Sequence, residues 1–159
     1  MDAIDFLTEH HRHIEDLFDK LEVVDKEDDK ADQFSHLARA LALHDLVEQQ
    51  HFYPLLREKN LGALADEGMK AHEQLESSVT ELLDLDVGDE QFDNKLEALR
   101  TLVESHLNSE EGVMFPQLKN VTDADTLEEL ADEMRATVED LPDSTARELV
   151  APDTVPPAP

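Results

Sequence analysis

The sequence predicts an all-α protein: an antiparallel up-down-up-down four-helix bundle with a shorter fifth helix at the C-terminal side and a disordered tail. Three observations predict it. Apolar residues recur every three or four positions through four long segments, which is the period of one helix face. The breaks between those segments are short, so consecutive helices must turn back on one another. Leucine is abundant, glycine is limited to 4 residues and no strand pattern or Gly-rich phosphate loop intervenes, a composition that favours helix.

The first helix is expected from Asp2 to Val24, with Leu7, Ile14, Phe18 and Leu21 on one stripe. The second runs from Ala31 to Glu58 and carries Phe34, Leu37, Leu41 and Leu55. The break "NLG" at 60–62 precedes a third helix that carries Leu64, Leu75, Val79 and Leu82 and ends near Leu85. After "DVGDE" at 86–90, with Asp89 as a side-chain N-cap, the fourth helix points Phe92, Leu96, Leu99 and Val103 inward and reaches Lys119. The fifth begins after Thr122 or Asp125 and presents Leu127, Leu130, Met134, Val138 and Leu141, to pack across the outside or one end of the bundle. Three regions follow: a bundle over 1–120, an accessory helix over 121–142 and a flexible tail over 143–159, rich in Pro and small polar residues.

A chain of 159 residues suits one domain with a modest core, and with 4% aromatics and no Trp that core must be mostly Leu, Val, Ala and Ile. Lys and Arg total 13 against 40 Asp and Glu, a net charge of −27. Such a surface repels phosphate-rich partners, which argues against nucleic acid and anionic membranes. It suits a high-salt cytosol or a plain solvated exterior equally. The absence of cysteine excludes disulfides, thiolate metal sites and a thiol nucleophile. The N-terminus lacks the basic and apolar regions of a secretory signal, and no apolar run approaches the ~18 residues of a membrane span. A cytoplasmic protein is expected, with a monomer as its simplest state.

The stretch "HDLVEQQHFYP" at 44–54 is matched by "HLNSEEGVMFP" at 106–116. His44, Glu48, Tyr53 and Pro54 have the mutual spacing of His106, Glu110, Phe115 and Pro116. Upstream, His11 precedes His44 by about the separation at which His72 precedes His106. The chain is thus two helical hairpins, each with one His on its first helix and a His-x-x-x-Glu on its second. His11, His44, His72 and His106 each occupy a stripe position where Leu is expected, and Glu48 and Glu110 take the next inward slots. Residues at i and i+4 share one face, so four imidazoles and two carboxylates meet at one level of the bundle axis.

A lone inward His is ordinarily a core residue bonded to a backbone carbonyl. Two inward carboxylates are different, because an ionised group in a dry core must be paired. No inward Lys or Arg lies at their level, so a metal is the expected partner. Imidazole and carboxylate without thiolate suit iron, manganese or zinc. Carboxylates from two helices can each bridge, which makes a dinuclear site the better account of six donors.

This ordered set, His11 … His44-x-x-x-Glu48 … His72 … His106-x-x-x-Glu110, resembles the hemerythrin-like (HHE cation-binding) domain over roughly residues 1 to 120. The resemblance implies a cofactor of two iron ions with an oxo or hydroxo bridge. It implies O2, hydrogen peroxide or nitric oxide as the small ligand. The layout is most similar to actinobacterial hemerythrin-like proteins, some of which show catalase-like activity. Possible roles are therefore O2 or peroxide chemistry, or oxygen, iron or redox sensing without turnover. Where oxygen carriers have a second His one turn after the third-helix ligand, this chain has Glu76, which argues against simple O2 storage. Glu76 is one candidate for the open place, although Glu15 stands in the same relation to His11. His51 is another, three residues past Glu48 on the inner stripe, and the repeat has Val113 there. Tyr53 is within reach of a metal, while its counterpart Phe115 suggests packing beside a helix-ending proline. His10 would replace His11 only if the first helix were rotated. His13 and His36 fall off their stripes and are expected at the surface.

Overall fold

The protein is described by a computed structural model over residues 1–141; the expected tail at 143–159 lies outside the described residues. Helix α1 spans Ala3–Glu22, α2 Glu27–Val47, α3 Tyr53–Glu58, α4 Gly62–Leu83, α5 Glu90–Ser109, α6 Phe115–Val121 and α7 Ala124–Glu139. Two π turns, Glu48–Phe52 and Glu110–Met114, join α2 to α3 and α5 to α6 without a break. Four long rods result, with α7 as a fifth, and no strand occurs among the described residues. No helix there is long and apolar enough to cross a membrane.

Local chemistry sets the ends. Asp2 accepts from the Asp5 N–H at 2.9 Å while Asp5 accepts from the Asp2 N–H, a reciprocal cap on α1. Asp89 caps α5 as expected, through the Gln91 N–H at 2.8 Å. Asp123, between the two expected positions, caps α7 through Thr126. Helix α2 starts at Glu27, four residues before the expected Ala31, with Glu27, Asp28 and Asp29 in its first turn. That acidic turn favours the positive end of the helix dipole, although it carries no apolar stripe to reveal it. Asn60 ends α3 with φ 65°. Leu61 N–H bonds back to the Leu56 carbonyl at 2.7 Å, which closes the turn into α4.

The interior is two apolar clusters rather than one. The first gathers Leu7, Val47, Phe52, Leu56, Phe115 and Leu118 with the α7 residues Leu127, Leu130 and Met134. The second holds Ile14, Phe18, Leu37, Leu82, Phe92 and Leu99. Helix α7 lies along α1 and touches α2 and the first π turn, so it covers the end of the bundle built on the first cluster. Between the clusters lies the level at which the histidine stripe was expected.

Candidate metal centre

Each long rod sends ligand-type side chains into that level from the boundary of the two clusters. On α1, His11 sits between Leu7 and Ile14; on α5, His106 follows Val103. His11, His44, Glu48, His72, His106 and Glu110 are all buried, none more than 5% exposed. His11 Nε2 is 3.0 Å from Glu110 Oε1, and His44 Nε2 is 3.1 Å from Glu48 Oε1. His72 Nε2 is 2.8 Å from Glu48 Oε1, and His106 Nε2 is 3.3 Å from Glu110 Oε2. Donor atoms fall into two groups, each within 4.8 Å: His11, His44, Glu48 and Glu110; and Glu48, His72, His106 and Glu110. Both carboxylates belong to both groups.

These donors fit a cation better than they fit one another. His11 Nε2, both nitrogens of His44, Glu48 Oε2 and Glu110 Oε1 are buried with no hydrogen-bond partner. The close N···O pairs are near enough for charge attraction but are not aligned as hydrogen bonds. A buried polar atom left so costs about 1–3 kcal/mol, and several in one cluster call for a shared partner. With no metal, protons serve. Burial alone would lower the pKa of His44, but Glu48 and Glu110 outweigh it and push it up to about 10. His72 rises to about 9 against the same burial, through Asp45 and Glu48. His11 also rises against its burial, through Glu110 and Glu111. Burial would raise Glu48, yet the charge of His44, with contacts from Glu110 and His106, holds it well below the usual carboxylate range. A metal would displace these protons.

Two carboxylates absent from the sequence reading orient ligand rings. Asp45 contacts His72 Nδ1 across α2 and α4, and Gln49 donates to the same Asp45 oxygen at 2.7 Å. Glu111 Oε2 lies 2.8 Å from His11 Nδ1 and is also held by Arg12. A carboxylate on Nδ1 fixes the tautomer whose bare Nε2 faces the site. The one available signal was position, since Asp45 follows His44 and Glu111 follows Glu110.

The remaining candidates separate. Tyr53 is fully buried, and its hydroxyl is 3.0 Å from His72 Nε2, 3.3 Å from Glu110 Oε2 and 3.4 Å from Glu48 Oε1. Burial first, then the two carboxylates, push its pKa up, so the phenol keeps its proton. Its ring rests on Gly68, where a Cβ would come within 2.8 Å of three ring and hydroxyl atoms. His51 points elsewhere: Nε2 is 2.6 Å from Thr137 Oγ1 of α7 and Nδ1 is 3.8 Å from Glu133. Glu76 is exposed and lines a cavity beside His72. His10 is buried against Phe6, ring centres 4.1 Å apart, and burial lowers its pKa to about 3, so it is neutral. His13 and His36 are half-buried rather than at the surface.

The π turns explain why Tyr53 faces the site and His51 does not. Tyr53 N–H bonds to the Glu48 carbonyl and Phe115 N–H to that of Glu110, so each turn takes one residue more than an α turn. Side chains five residues after each glutamate therefore return inward. Phe115 does so by stacking on His11, ring centres 5.8 Å apart and 10° from parallel. Neither proline ends its helix. Pro54 and Pro116 stand in the first turn of α3 and α6, where a missing N–H is tolerated.

A family model, the hemerythrin HHE cation binding domain, matches residues 2–118. The chain therefore belongs to the hemerythrin HHE family. It is similar to the crystal structure of a hemerythrin HHE cation binding domain-containing protein from Mycobacterium kansasii, with 26% identity and a TM-score of 0.80 over 87% of this chain and 86% of that one. No curated protein matches the chain. Membership and the buried His/Glu groups together mark a metal-binding domain.

Proposed function

We propose that this hemerythrin HHE domain holds two iron ions and binds or reacts with O2 or peroxide. The observation that carries the reading is the sharing of both carboxylates by the two donor groups. His11 and His44 would hold one ion, His72 and His106 the other, and Glu48 and Glu110 would serve both. Iron in such a set supplies a redox-active Lewis acid for a small oxygen ligand.

The chain's own residues do the rest. Asp45 and Glu111 keep His72 and His11 in the tautomer that presents Nε2. The apolar clusters above and below exclude water from the two carboxylates. Tyr53 holds a proton at its hydroxyl within reach of both glutamates and His72. A cavity touching His44, His72 and His106 leaves one face of the site approachable, while His11 is sealed.

Elemental analysis of aerobically purified protein should give about two irons per chain, the count of donor groups, with ferric charge-transfer absorption in the near ultraviolet. No bound iron, or one zinc per chain, would overturn the reading. Oxygen evolution on adding hydrogen peroxide tests turnover separately. His44→Ala should abolish iron loading and His13→Ala should leave it intact.

A further inference from the structure

Of the four imidazoles that face the centre, His44 alone has an outer nitrogen that is both buried and unpartnered. Glu111 meets Nδ1 of His11, and Asp45 meets Nδ1 of His72. His106 leaves no buried nitrogen without a partner. Nε2 of His44 faces Glu48 at 3.1 Å and is the nitrogen that would take a metal. The ring's one proton must then sit on Nδ1. A buried N–H left unbonded costs about 1–3 kcal/mol, and a ligand histidine ordinarily donates it to a fixed acceptor.

Helix α1 supplies the complementary atom. His10 is 6% exposed, and its Nδ1 is likewise buried with no hydrogen-bond partner. The six-donor centre does not use it, because His11 beside it is the residue that enters. Its ring lies 4.1 Å from that of Phe6 and 6.2 Å from that of His44, centre to centre, the latter edge-on at 71°. An apolar side chain would fill this place without burying an unpaired polar atom, so a histidine here demands a cause, as the two glutamates do. An imidazole with its proton on Nε2 presents Nδ1 as an acceptor, which is what the His44 N–H lacks. An N–H···N bond near 3 Å puts two imidazole centres ~5 Å apart. The observed 6.2 Å leaves about 1 Å, which a turn of the His10 ring about its soft χ2 torsion can close once the His44 ring is fixed.

We infer that His10 is the positioning residue of His44: its Nδ1 accepts the His44 Nδ1–H and so fixes the tautomer that presents Nε2 to the metal. The pair does across α1 and α2 what Glu111 and Asp45 do for His11 and His72, with a neutral acceptor in place of a carboxylate. That role requires His44 to be a ligand, as proposed above, but requires neither iron nor a second ion.

The parent, His10→Leu and His10→Asn test it as full chains. Leucine keeps the volume and removes the acceptor, whereas the asparagine oxygen stands about where Nδ1 stood. Each protein is stripped of metal and titrated anaerobically with ferrous iron against a chelator. His10→Leu should bind iron about 10–100-fold more weakly, the loss expected when the outer partner of a ligand histidine goes. His10→Asn should stay within about threefold of the parent, since it keeps an acceptor in place. Melting of the metal-free proteins is the second readout. Leucine removes an unpartnered buried nitrogen, so metal-free His10→Leu should melt no lower than the parent even though its iron binding falls. A packing role would move both in the same direction. Undiminished iron affinity in His10→Leu, an equal loss in His10→Asn, or a lower melting temperature of metal-free His10→Leu would each overturn the inference. Zinc on the same samples keeps the two readings apart. A chain that takes zinc and refuses iron, with the same contrast between the variants, would sink the two-iron proposal and support the role of His10.

Discussion

Gly68→Ala is the sharpest test of how the centre is built. Glycine inside an exposed helix normally costs about 1 kcal/mol relative to alanine, so on propensity alone the change should stabilise α4. The structure predicts the opposite. A Cβ on residue 68 would stand 2.7 Å from both Cε1 and the hydroxyl of Tyr53 and 2.8 Å from Cζ. Carbon contacts relax at about 3.5–4.0 Å, so the ring must retreat by roughly 1 Å. It has little room, being 1% exposed and held by Phe52 and His72 with ring centres 5.5 Å and 5.3 Å away. Overpacking of this kind costs about 1–3 kcal/mol, and losing the 3.0 Å contact to His72 adds about 1 kcal/mol. Net of the helix gain, destabilisation of about 1–3 kcal/mol is expected. Urea denaturation measures it. In a Tyr53→Leu background the obstruction is gone, and the same Gly68→Ala change should stabilise by up to about 1 kcal/mol. Stabilisation of the parent protein by Gly68→Ala would refute the claim that glycine is there to seat the tyrosine.

Three further outcomes follow from the same geometry. Asp45→Asn and Glu111→Gln should each weaken metal binding about 10–100-fold, as loss of a carboxylate behind a ligand His does, read by competition with a chelator while helicity is unchanged. His51→Ala should leave metal content untouched and cost about 1 kcal/mol through its Thr137 contact; loss of metal would refute its placement against α7. For the metal-free protein, the raised pKa values of His44 and His72, about 10 and about 9, set the alkaline limb. Their stabilisation is complete below the unfolded pKa of about 6.5 and is lost as pH rises through 9 to 10. Glu48, depressed, contributes above the ordinary carboxylate pKa and loses that contribution as pH falls. The denaturation midpoint of the metal-free protein should therefore fall between pH 7 and 10, and a flat midpoint there would count against the proton-filled cluster.

Most of the fold was legible because helix packing writes itself as a period. Leu7, Ile14, Phe18 and Leu21 all proved buried, and the stripe that buried them also placed His11 inward. The level at which the six buried donors meet was legible for a related reason: a buried glutamate is costly enough that Glu48 and Glu110 at apolar positions demand a cause. The partners of the ligand rings were not. Asp45 and Glu111 act across helix pairs, from α2 to α4 and from the second π turn to α1. Such pairing depends on how the rods are rotated, which no single helix's pattern encodes. Helix α2 began early for the opposite reason, since an acidic first turn is favourable without being apolar.

The placement of His51 and Tyr53 has one cause, and the sequence does carry a trace of it. Counting three residues past Glu48 assumes an α turn, which would put His51 on the inner stripe. The chain instead takes one extra residue in that turn, and everything beyond is rotated. His51 swings to α7, Tyr53 swings into the centre, and Pro54 falls where a helix begins rather than where one ends. The second hairpin makes the same move from Glu110 to Phe115 and Pro116. Both hairpins therefore spell glutamate, four residues, an aromatic residue and proline. A proline in mid-helix should cost about 3 kcal/mol. Its recurrence at the same distance after an inward carboxylate, in helices that must both reach the far cluster, is the sign that the backbone changes pitch there. The two π turns thus belong to the candidate centre as much as its buried His and Glu donors do, because without the added residue Tyr53 would not face the glutamates.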